Sequence, residues 1–319
     1  MRHVHLKVGF WQDISVIPLK IRQTSSGVHL FDRRTGLNIL LEPKSTGLRA
    51  PSLAPRQISV ALSNACDLRC SYCYAPKTSG RLRLDDVVGW LADLDQAGCL
   101  GVGFGGGEPT LLRDFPHLCQ RLAAETQLAI TFTTHGHHLD AALCSRLQDT
   151  VHFVRISMDG VGETYERLRG RSFSALLDRL ADVRTLAPFG INYVVNDDTI
   201  GELDAAVAVA VDAGAREFLL LPEQPTSARS GIDSETMASL HAWVNAYQGS
   251  LALTVSAAAA DGLPVTAPLP REEPLEAYAH IDANGTLKRS SYDDSGVAIG
   301  DGTIMQALAA LREMSEGTA

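Results

Sequence analysis

This sequence is short of three features that would place a protein quickly. No stretch reaches the ~18 consecutive apolar residues a membrane helix needs. The opening MRHVHLKVGFWQDISV alternates apolar and polar residues instead of forming the apolar run of a secretion signal. There is no basic excess: 28 Lys and Arg stand against 37 Asp and Glu, a net charge of −9. Nucleic-acid binders usually carry a basic patch, so nucleic acid is a poor default partner, although a local basic groove can hide in an acidic total. Cysteine is also sparse, six in 319 residues, too few for a disulfide scaffold. The expectation is a cytoplasmic protein with no membrane segment. The apolar share of 45% and charged share of 20% are ordinary for a globular chain, and the length allows a core of substantial size.

The hydrophobic pattern divides the chain in three. Residues 1–55 hold short alternating runs (HVHLKV, SVIPLKI, GVHLF, NILLE), with a turn at Thr35-Gly36, and read as a β-rich extension closed by Pro51 and Pro55. Residues 56–250 alternate strand and helix. The strands are ISVAL, LGVGF, LAITFTT, VHFVRIS, GINYVVN and EFLLLP. Helices are expected over 85–97, 110–125, a segment with Leu139, Leu143 and Leu147, 173–187, 199–213 and 234–248. In 110–125 the apolar face would carry Leu111, Phe115, Leu118 and Leu122. Six β-α units imply a parallel sheet, and in about 190 residues they suit a partial (β/α)6 TIM-like barrel better than a closed eight-unit one. Residues 251–319 read as a smaller α/β tail, with a hairpin at Asp282-Ala283-Asn284-Gly285 and a last helix near 303–315. The alanine run 257–260 and the proline-containing stretch 264–274 read as loop.

Three of the six cysteines, Cys66, Cys70 and Cys73, fall in one loop, ACDLRCSYCY, directly after ISVAL. Spacings of three and two intervening residues let one short backbone wrap three corners of a cubane iron–sulfur cluster. Zinc and free core thiols are the alternatives. A structural zinc site needs a fourth ligand, and the nearest downstream histidine is His117. After LGVGF comes Gly106-Gly107-Glu108-Pro109, where two glycines allow close backbone approach and Glu108 offers an acceptor; alone it would be a turn before a helix. VHFVRIS ends at Ser157, followed by Asp159, two short polar side chains. Arg169 lies twelve residues past Ser157, and its bland alternative is a surface charge at a helix end.

These motifs, in this order at successive strand ends, resemble the radical S-adenosylmethionine (SAM) superfamily. The likeness covers about 56–250 and implies a [4Fe–4S] cluster on Cys66, Cys70 and Cys73, with SAM chelating the fourth iron. In that family SAM is cleaved reductively to methionine and a 5′-deoxyadenosyl radical, which abstracts hydrogen from the substrate. The resemblance implies that Tyr72, the aromatic residue before the third cysteine, packs near the adenine. It assigns Gly106, Gly107 and Glu108 to the SAM amino group, Ser157 and Asp159 to the ribose, and Arg169 to the carboxylate. Asn196 would lie near the nucleoside, and the backbone at Leu221 would border the adenine. The family commonly reads Thr-Asn-Gly after the third strand; here it is Thr134-His135-Gly136. His135 is therefore a candidate substrate contact at the barrel mouth, or else a solvated turn histidine.

The tail resembles the SPASM/twitch extension of the subfamily that modifies peptides and natural products. That extension normally carries cysteines for an auxiliary cluster. Here Ser290 and Ser291 stand in that neighbourhood and no cysteine follows Cys144, which implies a cluster-free cap. Cys99, Cys119 and Cys144 are expected to be buried structural thiols. The resemblance implies an external electron donor of flavodoxin or ferredoxin type. For the substrate, a small metabolite (nucleoside, sugar or amino-acid derivative) in natural-product biosynthesis comes first. Maturation of a ribosomally made peptide is the alternative. RNA modification and a non-catalytic binding module of the same fold complete the set.

Overall fold

The computed structural model describes residues 19–24, 27–41, 52–226, 228–256, 260–264 and 272–316. The expected strand HVHLKV, Pro51, and most of SVIPLKI, the alanine run and the 264–274 stretch lie outside them.

A three-stranded antiparallel sheet opens the described chain: β1 (Lys20–Thr24), β2 (Gly27–Phe31) and β3 (Asn38–Leu41). The main body follows as β4 (Gln57–Ser63), α1 (Leu84–Gln96), β5 (Gly101–Gly106), α2 (Phe115–Glu125), β6 (Ala129–Thr134), α3 (Ala141–Leu147) and β7 (Phe153–Ser157). It continues with α4 (Gly162–Arg169), α5 (Phe173–Leu186), β8 (Phe189–Val195), α6 (Leu203–Ala213), β9 (Glu217–Pro222), α7 (Ser234–Ala246) and β10 (Ala252–Val255). The last elements are α8 (Pro274–Ala277), β11 (Tyr278–Ile281), β12 (Thr286–Lys288), β13 (Val297–Ala298) and α9 (Ile304–Glu316).

Strands β4 to β10 lie side by side in sequence order, all parallel, as β-α-β crossovers require. The parallel, partial-barrel reading holds. Four strands from the region read as tail, β10 to β13, join the same sheet. β10 extends the sheet beyond β9, and β11 pairs parallel with the free edge of β4, so that Ala279 faces Ile58 and Ile281 faces Val60. The hairpin β11–β12 turns at Asp282–Gly285 as expected, with Gly285 at φ +79°. The sheet does not close, because β10 and β13 are its two ends.

Each strand puts alternate residues against the helices. In β5, Val102 and Phe104 are buried there while the alternating Gly103 and Gly105 face the other side and are half-buried. The helices meet this layer with Val87, Val88, Leu91 and Leu94 of α1 and Leu176, Leu180 and Val183 of α5. The expected 110–125 helix starts late. Pro109–Leu111 is a separate 3-10 turn, and Leu111 is 41% exposed instead of on the buried face. Helix α4 was not expected, since Tyr165 is its one buried residue and leaves no apolar stripe to read.

Two arginines dock the first sheet onto the main body. Arg22, 1% exposed, donates to the carbonyls of Ala54, Gly98 and Glu276. Arg33 donates to those of Ala123, Thr126 and Leu128. Most of these carbonyls precede β4, β5, β6 and β11, so the small sheet covers the N-terminal ends of the strands and leaves the C-terminal ends open. Arg22→Ala should strand three buried carbonyls and destabilise the fold by about 3 kcal/mol. A lowered urea midpoint reads this; an unchanged one would show that the arginine is not the tie.

Candidate active site

Everything expected to carry chemistry lies at the C-terminal ends of the parallel strands. The loop after β4 holds Cys66 (exposed), Cys70 (buried) and Cys73 (half-buried), all free thiols. The Cys73 N–H donates to the Cys70 carbonyl at 3.2 Å, and the Leu68 N–H to Cys66 Sγ at 3.4 Å. Leu68, Cys70 and Tyr72 form a small apolar cluster with Leu168 and Val194. Desolvation pushes the Cys66 thiol up, so its thiolate needs a positive partner. Arg169 Nη1 reaches Cys70 Sγ at 3.8 Å.

The glycines after β5 are required by the chain's own packing. Gly106 sits at φ +107°, and a Cβ there would meet the Ser63 carbonyl at 2.4 Å. At Gly107 a Cβ would lie 2.0 Å from the Ala65 carbonyl. The close approach is to the cysteine loop's own backbone, sealed by Gly107 N–H to Ser63 O (2.6 Å) and Glu108 N–H to Ala65 O (2.8 Å). Glu108 is not a free acceptor either. It is buried; its Oε1 accepts from Thr110 N, Thr110 Oγ1 and Thr134 Oγ1, and its Oε2 from the His135 N–H.

Asp159, expected at the ribose, is fully buried and occupied by the chain. Oδ1 accepts from the Val194 N–H at 2.7 Å; Oδ2 accepts from Tyr72 OH at 2.7 Å and pairs with Arg169. Arg169, expected at a carboxylate, has found one, but it belongs to Asp159, and the guanidinium also lies over the Tyr72 ring. Asn196 is likewise an internal organiser: its Oδ1 accepts from the N–H groups of Asp198 and Thr199, and its Nδ2 donates to Glu223 at 2.6 Å. Ser157 ends β7 and is half-buried. Leu221 and Tyr72 line one small cleft of about 40 Å³ with Val194, Tyr74 and Tyr292. Tyr292 comes from the tail and packs on Tyr74 at 4.7 Å between centroids, so the tail caps this cleft.

His135 is 3% exposed, with Nε2 on Asp67 Oδ1 at 2.9 Å. Its ring faces the cysteine loop through this bond. Asp67, Thr110, Thr134 and Arg171 were not read from the sequence; as single polar residues in loops or at a strand end they carry no periodic signal. Cys99, Cys119 and Cys144 are buried, as expected.

The profile of the radical SAM superfamily matches residues 60–210, the span that includes the cysteine loop and the ends of β5, β7 and β8. Residues 60–210 are a radical SAM domain. The PqqA peptide cyclase of Granulibacter bethesdensis is 30% identical over 171 residues, 50% of this chain and 45% of the relative. The Fe-coproporphyrin III synthase of Methanosarcina barkeri is 26% identical over 152 residues, 45% of this chain and 38% of the relative. The chain thus spans less than half the length of these two curated relatives. The fold is shared with SuiB of Streptococcus suis bound to the precursor peptide SuiA, at TM-score 0.72 and 12% identity over 91% of this chain and 87% of that one.

Radical SAM domains use a [4Fe–4S] cluster and SAM. The donor set here fits: three free thiols on one loop, with Arg169 directed at one of them. Each single replacement of Cys66, Cys70 or Cys73 by Ala should remove the cluster's visible absorbance, and the reconstituted wild type should hold about four irons per chain. A variant that keeps the absorbance, or about eight tightly held irons in the wild type, would contradict this assignment. Gly107→Ala should also lose iron, because its Cβ would displace the Ala65 carbonyl; iron measured after desalting checks this.

Proposed function

We propose that this chain is a radical SAM enzyme that matures a ribosomally made peptide in natural-product biosynthesis. The observation that carries the catalytic part is the three free cysteines on one loop at the open ends of a parallel sheet. When bound, the cluster and SAM supply the means to remove a hydrogen atom from an unactivated carbon. The chain's own residues do the rest. Cys66, Cys70 and Cys73 hold the cluster, while Tyr72, Val194 and Leu221 offer the apolar cleft for the nucleoside. The Asp159–Arg169–Tyr72 set fixes the aromatic wall of that cleft. Tyr74 and Tyr292 exclude water from its outer side.

Two observations support the peptide. A relative and a structural neighbour carry peptide names, PqqA peptide cyclase and SuiB with its precursor peptide. The other is local room on β5, where Gly105 has no side chain and a Cβ added there would meet nothing within 4 Å. A small metabolite, placed first on the sequence alone, retains the Fe-coproporphyrin III synthase as support and becomes the second reading. An external one-electron donor of flavodoxin or ferredoxin type would reduce the cluster. The exposed Cys66 thiol suits the reducing cytoplasm. Among the described residues no helix is long and apolar enough to cross a membrane.

The test is anaerobic incubation of the reconstituted enzyme with SAM, dithionite and any short peptide encoded beside its gene. Release of 5′-deoxyadenosine with a SAM-dependent mass change or crosslink in the peptide is expected. Release of 5′-deoxyadenosine with no effect on the peptide, and modification of a sugar or nucleotide instead, would favour the second reading. No release at all would leave a binding module.

A further inference from the structure

Side chains from three segments converge one residue from Cys66. Asp67 Oδ1 accepts from His135 Nε2 at 2.9 Å; its Oδ2 accepts from His138 Nε2 at 3.1 Å and from Arg171 Nη2 at 2.7 Å. The donor atoms of Asp67, His135 and His138 lie within 4.8 Å of one another, a spacing that a divalent cation can use. The tautomer of His135 decides against a cation. His135 Nδ1 receives the backbone N–H of His137 at 3.1 Å, so Nδ1 carries the lone pair and Nε2 the proton. Nε2 is therefore a donor to Asp67 and has no lone pair for a metal. Arg171 on the same carboxylate adds a positive charge that a cation would have to displace.

What remains is a tether. His135 is held at three points: its N–H on Glu108 Oε2, its Nδ1 on His137, and its Nε2 on Asp67. Glu108 is in turn fixed by Thr110 and Thr134. A chain of hydrogen bonds so runs from the ends of β5 and β6 into the cysteine loop. Asp67 accepts on both oxygens, and Arg171 is the fixed charge that faces it.

We propose that His135, acting through Asp67, is a positioning residue that holds the cysteine loop in shape for its cluster, and that the Asp67–Arg171 pair sets the charge beside Cys66. The proposal rests on the reading that Cys66, Cys70 and Cys73 bind the cluster.

The experiment has two arms on the full chain. The first is amide hydrogen exchange of residues 66–73 before reconstitution. His135→Ala should speed exchange there by about tenfold, the loss of one buried hydrogen bond. His135→Gln, whose amide can still donate to Asp67, should restore most of the protection. Asp67→Ala, at a side chain 26% exposed, gives the same arm should His135→Ala not fold. The second arm is the cluster's midpoint potential. Asp67→Asn should move it upward by removing a negative charge, and Arg171→Gln downward by leaving that charge unbalanced. Unchanged exchange in the alanine variants would overturn the tether. Shifts of the same sign, or none, would overturn the charge role. A wild type that binds no iron yet shows the exchange contrast would overturn the cluster reading and uphold the tether.

Discussion

The backbone contact between Gly107 and Ala65 leaves no room for a Cβ, and the rest of the site is arranged around it. A loop that must present three thiols has no regular hydrogen-bond ladder of its own. It borrows rigidity from the strand beside it, through the N–H groups of Gly107 and Glu108 on the carbonyls of Ser63 and Ala65. Two glycines are the condition for that approach. In a β/α sheet the loops at the C-terminal strand ends are free to carry chemistry because the strands below are fixed. Here the first loop is stitched to the end of the second strand before any side chain is considered.

Short carboxylates then collect the donors that the loops expose. Glu108 gathers Thr110, Thr134 and His135; Asp159 gathers Tyr72, Arg169 and the Val194 N–H; Asp67 gathers His135, His138 and Arg171. A buried carboxylate is costly unless it is bonded on both oxygens, as Glu108 and Asp159 are, and the more exposed Asp67 is bonded on both as well. The arrangement ties strand ends four, five, six, seven and eight into one frame. Within that frame Tyr72, Val194 and Leu221 present an apolar wall, and Tyr292 reaches over from the tail.

The alternation of strand and helix was legible because burial imposes its period on the sequence: Val102 and Phe104 on one side of β5, Val87, Leu91 and Leu94 along α1. Helix α4 was not legible, since it covers the site with Tyr165 alone and is otherwise charged. The joining of β10 and β11 to the main sheet escaped notice because edge pairing depends on neighbours distant in the chain, as in Ile281 beside Val60. At the site, the cysteine spacing and the two glycines could be read directly. The partners of Glu108, Asp159, Arg169 and Asn196 could not. Their residue types suit a ligand and suit one another equally well, and only the fold shows that Tyr72 and Asp159, 87 positions apart, share a hydrogen bond. His135 is the clearest case: the sequence offered a substrate contact or a turn histidine, and the fold adds its bond to Asp67 of the cysteine loop.

The central claim is that the loop of Cys66, Cys70 and Cys73 carries a cluster with one iron open to SAM. The most direct measurement is the low-temperature electron paramagnetic resonance spectrum of the reduced, reconstituted protein with and without SAM. A [4Fe–4S] signal whose g-values shift when SAM is added is the result this account requires. A signal that SAM leaves unchanged, or no cluster signal from protein with all three cysteines intact, would contradict it.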